Sequence, residues 1–174
     1  MGSGVQKYGY NGMFGPHPQC PAVRPADVTD GATHTVAMAE WLLATGDHAK
    51  IDARRTIFKT PETLALPSEM ERFASLCAGL DVPNTRPGGL IKGLNWLHGE
   101  FDHTLYNHVL PVNGRSCTNG TLVQEDAYSA GSLHPGGANI VYADGRVDFV
   151  RDSIELSIWR ALASRGGGEI TGER

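Results

Sequence analysis

The chain has 174 residues, 40% hydrophobic and 20% charged, with a formal net charge of −4. That is the composition of one globular domain with an ordinary core; it has no basic footprint for nucleic acid and no apolar run approaching the ~18–20 residues of a membrane span. The 22 glycines and 10 prolines predict many turns, and the three cysteines, at 20, 77 and 117 and without CxxC spacing, leave open three reduced thiols or one internal bridge.

Residues 1–26 are rich in Gly, Pro and aromatic rings and read as an extended segment, followed by one globular unit over 27–170. Met1-Gly-Ser-Gly is not a secretory signal. It reads as a vector-derived start, an expectation under which a native anchoring segment was removed. Asp30-Gly31 is a turn, and residues 33–41 are ambiguous on their own, the Thr and Val content favouring strand and Ala-Met-Ala-Glu-Trp-Leu-Leu favouring helix, with strand the expectation taken. Residues 45–66 lack a clear period and read as loop. Pro67–Cys77 is a short amphipathic helix, with Ser68 as its cap and Met70, Phe73, Ala74 and Cys77 at helical spacing. Residues 81–93 read as loop, 94–98 and 104–110 as two short strands around a turn, and 115–133 as a long surface connection.

The C-terminal third is the most regular. Apolar runs Ala138–Ala143 and Val147–Val150 flank Asp144-Gly145, a hairpin signal that predicts a type I′ turn. Asp152 then caps a predicted helix to Ser164, whose Ile154, Ile158 and Leu162, with Leu156, Trp159 and Ala163, form an apolar face. Gly166-Gly167-Gly168 reads as the stop of that helix. The predicted class is α+β: a small twisted antiparallel sheet with a C-terminal hairpin, packed against short helices in a loop-rich chain.

Candidate chemistry is sparse. No nucleophile elbow, zinc-binding helix motif or phosphate-cradling glycine loop is present. His98, Glu100, Asp102 and His103 have the right side chains to gather as metal ligands on a turn, although polar loop residues are the plainer reading; His108 continues the five-residue spacing. Glu125, Asp126, Asp144 and Asp148 supply hard oxygen donors for calcium without EF-hand spacing, and solvated loop acids are the plainer reading. His134 and Asp144 read either as an acid/base pair or as structural groups. In the structural reading a mostly buried His134 fixes the Pro135-Gly136-Gly137 bend and Asp144 makes the turn. No cofactor is required.

Four segments carry a resemblance: Val28–Glu40 (VTDGATHTVAMAE), Tyr106–Cys117 (YNHVLPVNGRSC), His134 with nine residues before Asp144-Gly145, and Trp159–Glu169 (WRALASRGGGE). In that order they resemble the prepilin-like, pseudopilin-like proteins numerous in planctomycetes, which end in a His, nine residues, Asp-Gly signature. The pilin-type N-terminal helix of that family is not found in this sequence. The resemblance implies a Cys77–Cys117 bridge, an extracytoplasmic location at the periplasm or cell surface, and a non-enzymatic assembly role. The partners it implies are copies of itself or subunits of a larger membrane-attached or surface complex. From a different class, Trp41, Trp96, Trp159 and the Tyr-rich N-terminus suggest a solute- or glycan-binding module. An exposed Trp96 beside Tyr106 would favour that module, and burial of all three Trp rings the structural role.

Overall fold

The computed structural model describes residues 10–15, 22–47, 49–66, 68–85, 87–89, 92–119 and 126–168. Among the described residues six short strands form two three-stranded sheets, and two α-helices pack on them, an α+β architecture. The first sheet is antiparallel, in the order β1 (Val36–Ala39), β5 (Gly137–Tyr142), β6 (Val147–Arg151). The second is mixed. In it β2 (Ile57–Lys59) pairs antiparallel with β3 (Pro87–Gly89) and parallel with β4 (Ser116–Thr118).

The inner residues of the first sheet, Val36, Ala138, Ile140, Tyr142 and Val150, close one core with Trp159 and Leu162. Helix α2 (Leu156–Ala161) brings Trp159 to it. A second core gathers Phe58 of β2 with Phe73, Ala74 and Cys77 of α1 (Met70–Ala78), Cys117 of β4, Val109 and Leu110. Cys77 and Cys117 are joined by a disulfide. Residues 106–112 run between the cores, Tyr106 and Val112 facing the first and Val109 and Leu110 the second. An Arg160–Glu71 ion pair links the two helices across this seam.

Several local expectations are corrected. The 45–66 stretch contains β2, and the 81–93 stretch contains β3. At three residues each, these strands are too short to show a period and owe their conformation to pairing. The segments 94–98 and 104–110 are not strands; their only ladder contact among the described residues is a Phe101–Leu105 bridge. The 115–133 stretch is not a surface connection where it is described: Ser116–Asn119 and Asp126–Ser132 are buried, and Cys117 and Ala127 exchange both backbone hydrogen bonds. Ser68 does not cap α1. Its hydroxyl donates to the Ala65 carbonyl, while the Glu69 carboxylate accepts from Ala65 N–H. Helix α2 begins at Leu156, because Asp152 and Ser153 lie in a turn and Asp152 N–H is taken by the Gly136 carbonyl.

The β5–β6 hairpin forms where Asp144-Gly145 placed it, with a different turn. Gly145 N–H donates to Tyr142 O and Tyr142 N–H to Arg146 O, so the loop is Ala143-Asp144-Gly145. Only Gly145 has positive φ, +88°. That is a type I turn closed by a left-handed glycine, the common three-residue hairpin loop. Asp144 accepts from Arg146 N–H through its side chain, which fixes the bend. A Cβ at Gly145 would meet nothing within 4 Å, so Gly145→Val acts through backbone strain alone. The expected loss is about 1–3 kcal/mol, read by urea denaturation, with Gly145→Asn losing less because Asn tolerates this conformation. A Gly145→Val protein as stable as the parent would refute the turn.

Candidate functional site

The four segments that carry the resemblance are bound to one another. Val36 N–H donates to Leu162 O, and the Thr35 hydroxyl to Ser164 O. The Asp30 carboxylate accepts from Gly167 and Gly168 N–H. The glycine run is therefore an acceptor's dock for Asp30 and not the stop of α2, which ends at Ala161. Arg165 donates through its guanidinium to the carbonyls of Tyr10 and Gly12. Trp159 donates its indole N–H to Leu110 O at 3.1 Å, and Arg160 holds Val109 O through Nε and Nη2.

At the centre lies His108, fully buried and stacked on the Trp159 ring with centroids 3.5 Å apart. Its Nδ1 is 2.7 Å from Trp159 O and its Nε2 is 3.1 Å from the Tyr106 hydroxyl. A carbonyl only accepts, so Nδ1 carries the proton and Nε2 accepts from Tyr106. The five-residue spacing of His98, His103 and His108 thus does not make a trio. Burial drives the His108 pKa well below its ordinary value and the Tyr106 pKa well above.

A base held neutral in the folded state takes up protons on unfolding. Its contribution is therefore intact above the unfolded imidazole's pKa, ~6.5, and is lost as the pH falls below it, at about 1.4 kcal/mol per unit until the folded ring itself titrates. Urea melts between about pH 7 and pH 5 should show this fall. The carboxylates with lowered pKa values, Asp27, Glu40 and Glu69, lose their contributions only at lower pH. A flat profile in that window would refute a neutral buried His108.

Lys92 also belongs to the interior. Its ammonium is buried, 3.1 Å from the Ser116 hydroxyl and over the Trp41 ring, and desolvation pushes its pKa down to about 8. Nothing in the local sequence marks this lysine as buried.

His134 and Asp144 do not meet. They flank opposite ends of β5, whose six residues at ~3.4 Å each separate them by roughly 20 Å. The nine-residue spacing counts out one strand and its approach. His134 is not buried either: its side chain is 61% exposed, with Nε2 3.7 Å from Glu40 Oε1. The bend depends instead on Gly137, where a Cβ would lie 2.1 Å from the Val150 carbonyl oxygen. Glu40 is held by Asn139, whose backbone and side-chain N–H groups both donate to it. The backbone donor is the main reason that its pKa lies below the usual carboxylate range.

The calcium candidates do not gather among the described residues. Asp126 is buried and accepts from Asn119 N–H and the Tyr128 hydroxyl. Asp144 lies at the hairpin tip and Asp148 pairs with Arg146; Glu125 falls outside the described residues, as does Cys20. One group of three potential ligands does converge among the described residues: His98, Glu100 and His103, whose donor atoms lie within 4.8 Å of one another. Of the tryptophans, Trp159 is buried, Trp41 packs against the first core, and Trp96 is 84% exposed between exposed Leu94 and Leu97. Tyr106 is buried on His108, so no Trp96–Tyr106 platform exists.

The outer face of the first sheet is open. Register places Met38, Val141 and Val147 in one row across β1, β5 and β6, with Phe149 beside them on β6. Met38, Val147 and Phe149 are exposed, Val147 at 63%.

A family model described as "Protein of unknown function (DUF1559)" matches residues 2–157. No curated protein and no solved structure matches the chain.

Proposed function

The chain belongs to the DUF1559 family of proteins of unknown function, and on that premise we propose that it is a non-enzymatic, extracytoplasmic assembly head of pseudopilin-like type, working by contact with copies of itself or with subunits of a surface complex. The observation that carries this reading is the apolar row Met38–Val141–Val147 with Phe149 on the open face of the first sheet. Contiguous exposed apolar area of this kind marks interaction surfaces. The resemblance of the four segments supports the pilin-like assignment. Their mutual hydrogen bonds give the resembling residues a structural task, holding a rigid platform behind that face. A disulfide suits an oxidising compartment, and no described helix is long and apolar enough to cross a membrane.

Exposed Trp96 favours one second reading, a glycan-stacking module. Cysteines placed singly at Val147 and at exposed Lys50, in a Cys20→Ser chain expressed in its native envelope, separate the two. Crosslinking with a bifunctional maleimide should join Val147→Cys, and not Lys50→Cys, to a neighbouring subunit. Adducts from neither position, or equally from both, would overturn the assignment of this face. Binding of a soluble glycan lost in Trp96→Ala would support the second reading instead.

A further inference from the structure

The loop between Lys92 and Leu105 has no regular secondary structure, yet its backbone is closely tied. Glu100 O accepts from the N–H groups of His103, Thr104 and Leu105, and the Thr104 hydroxyl donates to His98 O. Asp102 takes a left-handed conformation, φ +68°, and its carbonyl accepts from Gly93 N–H. The base is anchored: Phe101 stacks on Tyr128 at 6.0 Å and Leu105 is buried. This turn brings the donor atoms of His98, Glu100 and His103 within 4.8 Å of one another, with the two imidazole rings edge to face at 5.2 Å.

His103 is the informative member. Its Nε2 lies 3.5 Å from the Asp102 carboxylate, and its Nδ1 is buried from water without a hydrogen-bond partner. A buried ring nitrogen with no partner is costly and calls for an explanation. A metal-ligating histidine characteristically turns one nitrogen to a carboxylate and the other to the ion. In His103 the Nε2–Asp102 contact matches the first half of that pattern, and the unpartnered Nδ1 is the nitrogen left for an ion.

We propose that His98, Glu100 and His103 bind one divalent transition-metal ion of the zinc class, with Asp102 orienting His103. Two neutral imidazoles and one carboxylate form a borderline donor set that suits zinc. Calcium, which takes six to eight oxygen ligands, is excluded by the same chemistry. With His98 and Glu100 at the surface, three protein ligands leave a coordination position to water or to a ligand atom from outside the chain. The ion ties both sides of the turn together and fixes the loop that carries Leu94, Trp96 and Leu97. This site is independent of the sheet face proposed for assembly.

The test is calorimetric titration of the chelator-stripped full chain with Zn2+, followed by Co2+ titration read by visible absorption. One Zn2+ per chain should bind, more weakly as the medium acidifies because the imidazoles must be deprotonated. His98→Gln and Glu100→Gln, both exposed and safe for folding, should each weaken binding by about a hundredfold, and Asp102→Asn by roughly tenfold or more. His134→Gln should leave it unchanged, and Ca2+ should not compete. Absence of stoichiometric binding, or Zn2+ affinity undiminished in both His98→Gln and Glu100→Gln, would overturn the proposal.

Discussion

Trp159→Ala is expected to lower stability by about 3–5 kcal/mol, the largest loss of any single substitution considered for this chain. The indole is fully buried against Val36, Ile140, Tyr142 and Leu162, so its removal leaves a cavity that a short helix cannot collapse to fill. The substitution also strips the donor from Leu110 O and the ring from the face of His108. A buried carbonyl left without its donor adds about 1–3 kcal/mol of desolvation cost within that total. Trp159→Phe separates the terms. It keeps one aromatic ring while losing the N–H and a few ring atoms, so the expected loss is smaller, about 1–3 kcal/mol. Urea denaturation of the two variants measures both, and a Trp159→Ala protein within about 1 kcal/mol of the parent would show that the seam between the cores is not centred on this residue.

The second large effect is opening the disulfide. Cys77 and Cys117 are 40 residues apart in sequence, and a loop of that length closed in the unfolded chain is worth roughly 4 kcal/mol on the chain-entropy argument. The bridge ties α1 to β4, an edge strand of a sheet whose strands have three residues each. The Cys77→Ser/Cys117→Ser protein should therefore unfold at much lower denaturant, and its second core should lose hydrogen-exchange protection before the first. Thiol titration of the unreduced, denatured parent should find one reactive thiol, that of Cys20. Three thiols would reject the bridge and remove a support for the extracytoplasmic reading.

The hairpin β5–β6 was legible because its strands alternate over five or six residues around a turn dipeptide, a signal that survives without context. The amphipathic spacing of Met70, Phe73, Ala74 and Cys77 located α1 for the same reason. The second sheet was not legible. Thr-Ile-Phe-Lys-Thr looks like any polar loop with two apolar residues until Ser116–Thr118 arrives beside it. The turn type was misread because Asp-Gly fits both a two-residue and a three-residue loop, and only the hydrogen bond from Tyr142 to Arg146 decides between them. Among the histidines, sequence spacing grouped His98, His103 and His108, but tertiary packing divides them. His108 is flanked by Tyr106 and Val109-Leu110 and goes into the core, whereas His98 and His103 sit on a turn whose closure depends on Asp102 adopting positive φ. His134 follows Leu133, which is itself exposed, and both stand on the exposed stretch through Pro135-Gly136 that leads into β5.

The order of strands in the first sheet also sets a sequence of events for the chain as it is made. Among the described strands β1 pairs only with β5, and Val36 meets Tyr142 after about a hundred intervening residues. Everything in the second sheet lies inside that closure. β5, β6 and α2 are contiguous and have local contacts enough to form early, but they appear last during synthesis from the N-terminus. β1 therefore emerges ahead of its partner and waits, unpaired and with Val36 uncovered, until β5 arrives. Contact order of this kind slows folding and leaves an open strand edge vulnerable to pairing with a neighbouring chain. A chain delivered across a membrane N-terminus first would need that edge shielded in transit, and truncation before Gly137 would remove the described strand that pairs with β1.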